Sequence, residues 1–116
     1  MKIIKLSHSQ FEWDSNKNKN NRKKHHIDFE DARDVFNSPI IIKEDNRKDY
    51  GEIREIGIGK LNKNIIVVII FTIRNNKVRL ISARMANKKE RKKYHDLTEQ
   101  IQNFIDGYRK HINTKK

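Results

Sequence analysis

The run Ile65-Ile66-Val67-Val68-Ile69-Ile70-Phe71-Thr72-Ile73-Arg74-Asn75-Asn76-Lys77-Val78-Arg79-Leu80-Ile81-Ser82-Ala83-Arg84 decides the fold of this chain. From Ile65 to Ile73 nearly every residue is β-branched or aromatic and none is charged, the pattern of a central strand covered on both faces. Asn75-Asn76 is a two-residue turn that tolerates positive φ, so Val78 to Arg84 reads as the returning strand of a hairpin. In a regular strand Arg79, Ile81 and Ala83 share one face and Val78, Leu80, Ser82 and Arg84 the other. The two arginines then point apart, unless a bulge or an early end at Ala83 changes the alternation.

Upstream of this hairpin, Ile40-Ile41-Ile42 predicts a strand, Glu44 to Gly51 a polar turn, and Ile53, Ile56 and Ile58 a second strand of roughly Glu52 to Gly59. Before Pro39 the period is helical. Phe29, Ala32, Val35 and Phe36 lie on one helix face that begins at an Asp28 N-cap, with Asp31 in a capping-box-like place, and ends near Asn37-Ser38-Pro39. Earlier still, Phe11-Glu12-Trp13 is a short extended piece and Asp14 caps a helix from about Ser15 to His25. That helix has no acid or aliphatic residue from Ser15 through His26, so it is expected to be held by Phe11 and Trp13 before it and Ile27 and Phe29 after it. Downstream, Asn87 and Glu90 form a capping box. Tyr94, Leu97, Ile101, Phe104, Tyr108 and Ile112 then make an apolar stripe, read as a face packed on the sheet with a docking surface as the alternative. Asp96 and Gly107 are its weak points.

Composition bounds the function. The chain has 116 residues, 27 Lys plus Arg against 15 Asp plus Glu, a net charge of +12, one Pro and no Cys. That length supports one core. Abundant Lys, Asn and Ile could reflect compositional bias alone, but the lopsided charge attracts polyanions, with nucleic acid the default partner and an acidic protein the second. Without Cys there are no disulfides, thiolate metal sites or thiol catalysis. The longest apolar run is far short of the ~20 residues that span a bilayer, and Met1 to His8 lacks the apolar core and cleavage site of a signal peptide, so a cytoplasmic location and no membrane partner are expected. The five histidines (His8, His25, His26, His95 and His111) lack metal-ligand spacing, and the acids between Glu44 and Glu55 read as a solvated loop. There is no P-loop, dinucleotide fingerprint or nucleophile elbow, and neither metal nor cofactor is expected.

What remains is basic chemistry. Cleaving RNA without a metal requires taking the 2′-hydroxyl proton, stabilising a phosphorane, and protonating the leaving 5′ oxygen. Arg suits the phosphorane because its planar fork meets two phosphate oxygens and stays charged; His, Lys or Tyr can move the protons. Lys24, His25, Arg54, Arg79, Arg84 and Tyr94 are the candidates, against the alternative of a non-catalytic nucleic-acid-binding module. Lys17, Arg22, Lys88, Lys89 and Arg91 are expected to bind RNA, or an acidic partner segment, without doing chemistry.

Phe11-Glu12-Trp13-Asp14, then Lys17, Asn21, Lys24-His25, Phe29, Ala32 and Val35-Phe36, resembles the opening of the BrnT family of type II toxins. Gly51-Glu52-Ile53-Arg54, Gly59, Thr72-Ile73-Arg74, Arg79-Leu80-Ile81-Ser82-Ala83-Arg84-Met85-Ala86, Glu90-Arg91 and Tyr94 continue the likeness. The resemblance implies an α+β, RelE-like fold: N-terminal helices, then an antiparallel sheet of about four strands and a C-terminal helix. It implies one toxin domain over residues 1–116, with 95–116 a helical extension. It also implies an endoribonuclease that halts translation, neutralised by a BrnA-like antitoxin and reaching DNA only through it. Two positions depart from the family pattern: Ser15 stands where Pro is common, and His26 where Gly is usual, so a bulkier residue must take a position that often needs positive φ.

Overall fold

The computed structural model describes residues 2–4, 10–62 and 64–114, in two compact units, Met1–Ala86 and Asn87–Lys116. Of the Met1 to His8 stretch only residues 2–4 fall within this range; the rest of that reading lies outside the described residues. The first unit is built on a six-stranded sheet of order β1-β3-β4-β5-β6-β2. Its strands are β1 (Lys2–Ile4), β2 (Gln10–Trp13), β3 (Ile40–Glu44), β4 (Glu55–Asn62), β5 (Ile65–Arg74) and β6 (Lys77–Met85). All neighbours are antiparallel except β2, which runs parallel to β6. This corrects the expectation of helices first and about four antiparallel strands. The extended piece before Asp14 is a strand in its own right, because alternation puts Phe11 and Trp13 against the core while Glu12 lies beside Arg79 across the parallel pair. At the opposite edge, Lys2–Ile4 pairs with Ile40–Ile42, and three residues are too few to show a period in sequence.

β5 is central and buried on both faces, as its uncharged sequence predicts. Val67, Ile69 and Phe71 belong to the main core with Ile40, Ile42, Val78, Leu80 and Ala83, while Ile66 and Val68 are buried on the other face. The main core is closed by Phe29, Ala32, Val35 and Phe36. Phe36 stands 5.3 Å from Phe11 and 5.2 Å from Phe71 between ring centroids, tying β2 and β5 together through one side chain. The segment expected as one helix is a single turn, α2 (Phe29–Ala32), followed by a 3₁₀ helix, Arg33–Asn37. Phe29 and Ala32 are buried from the α-helical turn and Val35 and Phe36 from the 3₁₀ turn. Ser38 is extended, as a residue before proline favours.

The hairpin between β5 and β6 has both turn residues in the left-handed region, Asn75 at φ 52° and Asn76 at φ 63°. Farther along, the register shifts: Phe71 faces Leu80 but Ile70 faces Ser82, leaving Ile81 as an extra residue in a β-bulge. The bulge reverses the alternation. Val78, Leu80 and Ala83 therefore all enter the main core, and Arg79 and Arg84 share the opposite face, where a regular strand would have separated them.

The second unit is helix α3 (Lys88–Thr114). Its capping box is reciprocal, the Asn87 amide donating to Glu90 Oε1 at 2.9 Å and the Glu90 amide to Asn87 Oδ1 at 2.8 Å. The helix continues through both weak points, where Lys92 pairs with Asp96 at 2.6 Å and Gln102 donates to Asp106 at 2.9 Å, each at i,i+4 spacing. The apolar stripe is buried only at its start. Tyr94 is buried, but Ile101, Phe104, Tyr108 and Ile112 are exposed, Phe104 at 76%, which corrects the expectation of a packed face for all but the start of the stripe.

Candidate functional site

Helix α1 (Ser15–His25) carries five lysines and arginines and no acid. Asp14 caps its start, accepting from the Lys17 amide at 3.0 Å and the Asn16 amide at 2.8 Å, and these donors hold its carboxyl below the usual range. His26 ends it at φ 60°, ψ 27°, its amide donating to the Arg22 carbonyl at 2.9 Å. The positive φ expected for this position is thus adopted by a histidine, a residue type that tolerates it better than most. Arg22, Lys23, Lys24 and His25 occupy the last turn, where the helix dipole favours positive charge.

A helix without an apolar stripe cannot be held by burial, and two asparagines do the work instead. Asn18 donates to Asp28 Oδ1 at 3.1 Å and accepts from the Phe29 amide at 2.9 Å, joining α1 to the start of α2. Asn21 reaches across 62 residues of sequence: its Nδ2 donates to the Ala83 carbonyl at 2.9 Å and the Ile27 carbonyl at 3.0 Å, and its Oδ1 accepts from the Ala83 amide at 3.1 Å. The expected anchors contribute less directly. Trp13 meets Phe29 edge-on at 6.2 Å and packs against the core from a half-buried position.

Between α1 and the bulge in β6 lies an open groove of about 290 Å³, lined by Lys17, Asn20, Asn21, Lys24, His25, Ile81 and Ser82. Lys17, Asn20, Asn21 and Lys24 fall at helical spacings of three and four, so one face of α1 forms one wall. The bulged residues Ile81 and Ser82 form the other. The His25 imidazole is held below its ordinary pKa of 6.5, first by burial and then by the positive charges of Lys24, Arg84 and His26. It is therefore mostly neutral at pH 7. Arg84 donates to the Met85 carbonyl at 3.2 Å.

The other sequence candidates of the first unit, Arg79 and Arg54, do not line this groove. Arg79 shares the face of Arg84, but opposite Thr72 where Arg84 is opposite Val68. Four residues of β5 separate the two levels, roughly 14 Å at strand rise. Arg79 lies 3.7 Å from Glu12. Arg54, just before β4, pairs with Glu52 at 3.2 Å and stacks over the Tyr50 ring at 4.2 Å. Tyr94 belongs to the second unit, where burial raises its pKa above 10.0 and keeps its hydroxyl protonated at neutral pH. Among the RNA-binding candidates, Lys17 lines the groove and Arg22 pairs with Asp28 at 3.1 Å; Lys88, Lys89 and Arg91 are exposed on the first turn of α3. Asn20, Asn21, Ile81 and Ser82 line the groove but are not among the site residues expected from the sequence. The helical spacing of Asn20 from Lys17 and Lys24 was a signal that could have found it, whereas Ile81 and Ser82 depend on a bulge with no sequence mark. Among the described residues no group of three His, Asp or Glu is arranged as metal ligands, and no helix is long and apolar enough to cross a membrane.

Comparison with known proteins supplies the family. Among curated proteins nothing matches. Among solved structures, the ribonuclease toxin BrnT of Brucella abortus is similar, with a TM-score of 0.53 and 26% identity, covering 69% of this chain and 99% of that one. The family model described as "Ribonuclease toxin, BrnT, of type II toxin-antitoxin system" matches residues 13–90, which include α1, the whole of β3 to β6 and the groove between them. Most of α3 lies beyond that match. The chain belongs to the BrnT family of ribonuclease toxins of type II toxin–antitoxin systems.

Proposed function

We propose that this chain is a metal-independent endoribonuclease whose chemistry takes place at the groove between α1 and β6. The observation that carries this reading is the wall that Lys17, Lys24 and His25 make in the groove, with the charges of Lys24 and Arg84 acting on a largely neutral His25 imidazole. Neutral His25 accepts the proton of a ribose 2′-hydroxyl, and the 2′ oxygen attacks the adjacent phosphorus. Arg84 neutralises the charge that gathers on the non-bridging oxygens of the phosphorane, a contribution worth about 3 to 4 kcal/mol for a well-placed donor. The bond from phosphorus to the 5′ oxygen breaks, Lys24 supplies the proton that oxygen needs, and the products are a 2′,3′-cyclic phosphate and a 5′-hydroxyl. Lys17 holds a neighbouring phosphate, and Arg79, on the face of Arg84, grips the strand farther along. Arg54 is engaged by Glu52 and Tyr50 and plays a structural part, and Tyr94 remains a donor candidate in the second unit.

The proposal extends to the cell. Cleavage of cytoplasmic RNA stops translation, a BrnA-like antitoxin neutralises the toxin by covering its basic surface, and DNA is reached only through that antitoxin. The domain organisation follows the same reading: a toxin domain with residues 95–116 as an added helical segment. The test is cleavage of single-stranded RNA by the purified chain in EDTA. Cleavage should persist in the chelator, yield cyclic phosphate ends, and fall about 10²- to 10³-fold in Arg84→Ala. Salt-sensitive binding without any product would instead identify a non-catalytic nucleic-acid module.

A further inference from the structure

Strand β2 stops pairing with β6 at Leu80, and among the described residues no other strand takes its place along the outer edge of β6 beyond that point. The backbone groups of Ala83 would face water or nothing, and buried groups in that state are costly. Asn21 fills the place of the missing strand. Its amide gives Ala83 one donor and one acceptor, as a paired strand would, and spends its second N–H on Ile27 just past the end of α1. Asn21 is only 6% exposed. Both of its N–H groups and its oxygen are committed to backbone, so although it borders the groove it has no donor left for a substrate.

We propose that Asn21 is the positioning residue of the cleavage site: its amide fixes the Lys24–His25 end of α1 against the bulged Ile81–Arg84 segment. The proposal rests on the assignment of cleavage to this groove. The proposed participants come from two elements that nothing apolar on α1 binds together, and the Asn21 amide ties the helix directly to β6. It contacts Ala83, between Ser82 in the groove wall and Arg84, and it sits three and four residues before Lys24 and His25. No other side chain type fits as well. Aspartate would accept from the Ala83 amide but set its charge against two carbonyl oxygens, and leucine would leave one N–H and two carbonyls unpaired.

The test compares full-length wild type with Asn21→Asp and Asn21→Ser, assayed below each variant's melting temperature. Three readouts separate positioning from mere stability. Cleavage of single-stranded RNA should fall about 10²-fold, in kcat more than in KM, because a displacement of about 1 Å is enough for such a loss. The His25 titration followed by NMR should move up toward 6.5 as the imidazole leaves its partly buried place beside Lys24, His26 and Arg84. In a His25→Ala background the further loss from Asn21→Asp should shrink to less than about threefold, since residues acting through one another are non-additive. Folded variants with wild-type His25 titration and cleavage within about threefold of wild type would overturn the proposal. So would rapid hydrogen exchange of the Ala83 amide in the wild-type chain, a measurement that needs no variant. If the wild type cleaves no RNA, the ribonuclease reading of this groove fails, and the His25 titration and Ala83 exchange still decide the role of Asn21.

Discussion

Replacing Gly59 by alanine tests how tightly β4 and the 3₁₀ helix are packed. A Cβ at Gly59 would lie 2.4 Å from Val35 Cγ1 and 3.1 Å from Ile40 Cγ1. An ordinary contact begins near 3.4 Å, so the overlap with Val35 is about 1 Å, against a side chain that is fully buried and, being β-branched, has little freedom to rotate away. Overpacking of this kind costs about 3 kcal/mol, from which about 0.5 to 1 kcal/mol is recovered because alanine loses less backbone entropy than glycine. The net loss is about 2 kcal/mol, which for a domain of this size lowers Tm by about 10 °C. Val35→Ala alone should cost a similar amount by leaving a cavity. The two changes together should not add: with Cγ1 gone the new methyl has room, and Gly59→Ala becomes neutral or stabilising, a coupling of about 2 kcal/mol. Thermal and urea unfolding of the four proteins measure this cycle. A Gly59→Ala variant that melts within about 2 °C of the wild type, or a cycle that is simply additive, would refute the packing argument.

Asp45 is buried and accepts from Arg47 Nε at 2.8 Å, Arg47 Nη2 at 2.9 Å and the Tyr50 hydroxyl at 3.0 Å, and Arg47 in particular holds its carboxyl far below 3.8. A depressed carboxylate stabilises the fold above its unfolded pKa and loses that contribution as the pH falls below about 3.8, so Asp45→Asn should cost about 2 kcal/mol at pH 7 and converge on the wild type in acid. Urea midpoints measured at several pH values check the convergence. For His25 the sign is opposite to that of a paired histidine: the folded state disfavours the proton, so its contribution is intact above pH 6.5 and declines as the pH drops from 6.5 toward the lower folded value. The acid limb of the cleavage profile should follow the same group and vanish in His25→Ala. Phe104→Glu, on the exposed stripe of α3, should leave Tm within about 2 °C of the wild type, since no buried contact is lost; a larger drop by calorimetry would show that the stripe is covered.

Much of the framework was legible from local chemistry. The uncharged β-branched run specified β5, Asn75-Asn76 specified its hairpin, and Asp14, Asp28 and the Asn87–Glu90 pair marked helix starts, because each acts through neighbours a few residues away. The strand β2 is visible in sequence only as an extended piece; that it pairs in parallel with β6 depends on which sheet edge the other strands leave open. The change from α-helical to 3₁₀ winding after Ala32 has no mark in the apolar spacing of Phe29, Ala32, Val35 and Phe36, which fits one helix face throughout.

The site divides the same way. Residue type and charge alone determined that this chain offers arginines, lysines and a histidine for work on phosphate, and no thiolate. Which of them meet was decided in three dimensions. One extra residue at Ile81 reverses the alternation of β6 and puts Arg84 on the face of Arg79, and one amide, Asn21, brings the end of α1 to that strand across 62 residues. A bulge has no composition of its own, and a side chain that pairs with distant backbone looks in sequence like any polar residue on a solvated helix. Local propensity therefore fixes the elements and their charges, while the register of one strand and the reach of one asparagine fix which charges stand together.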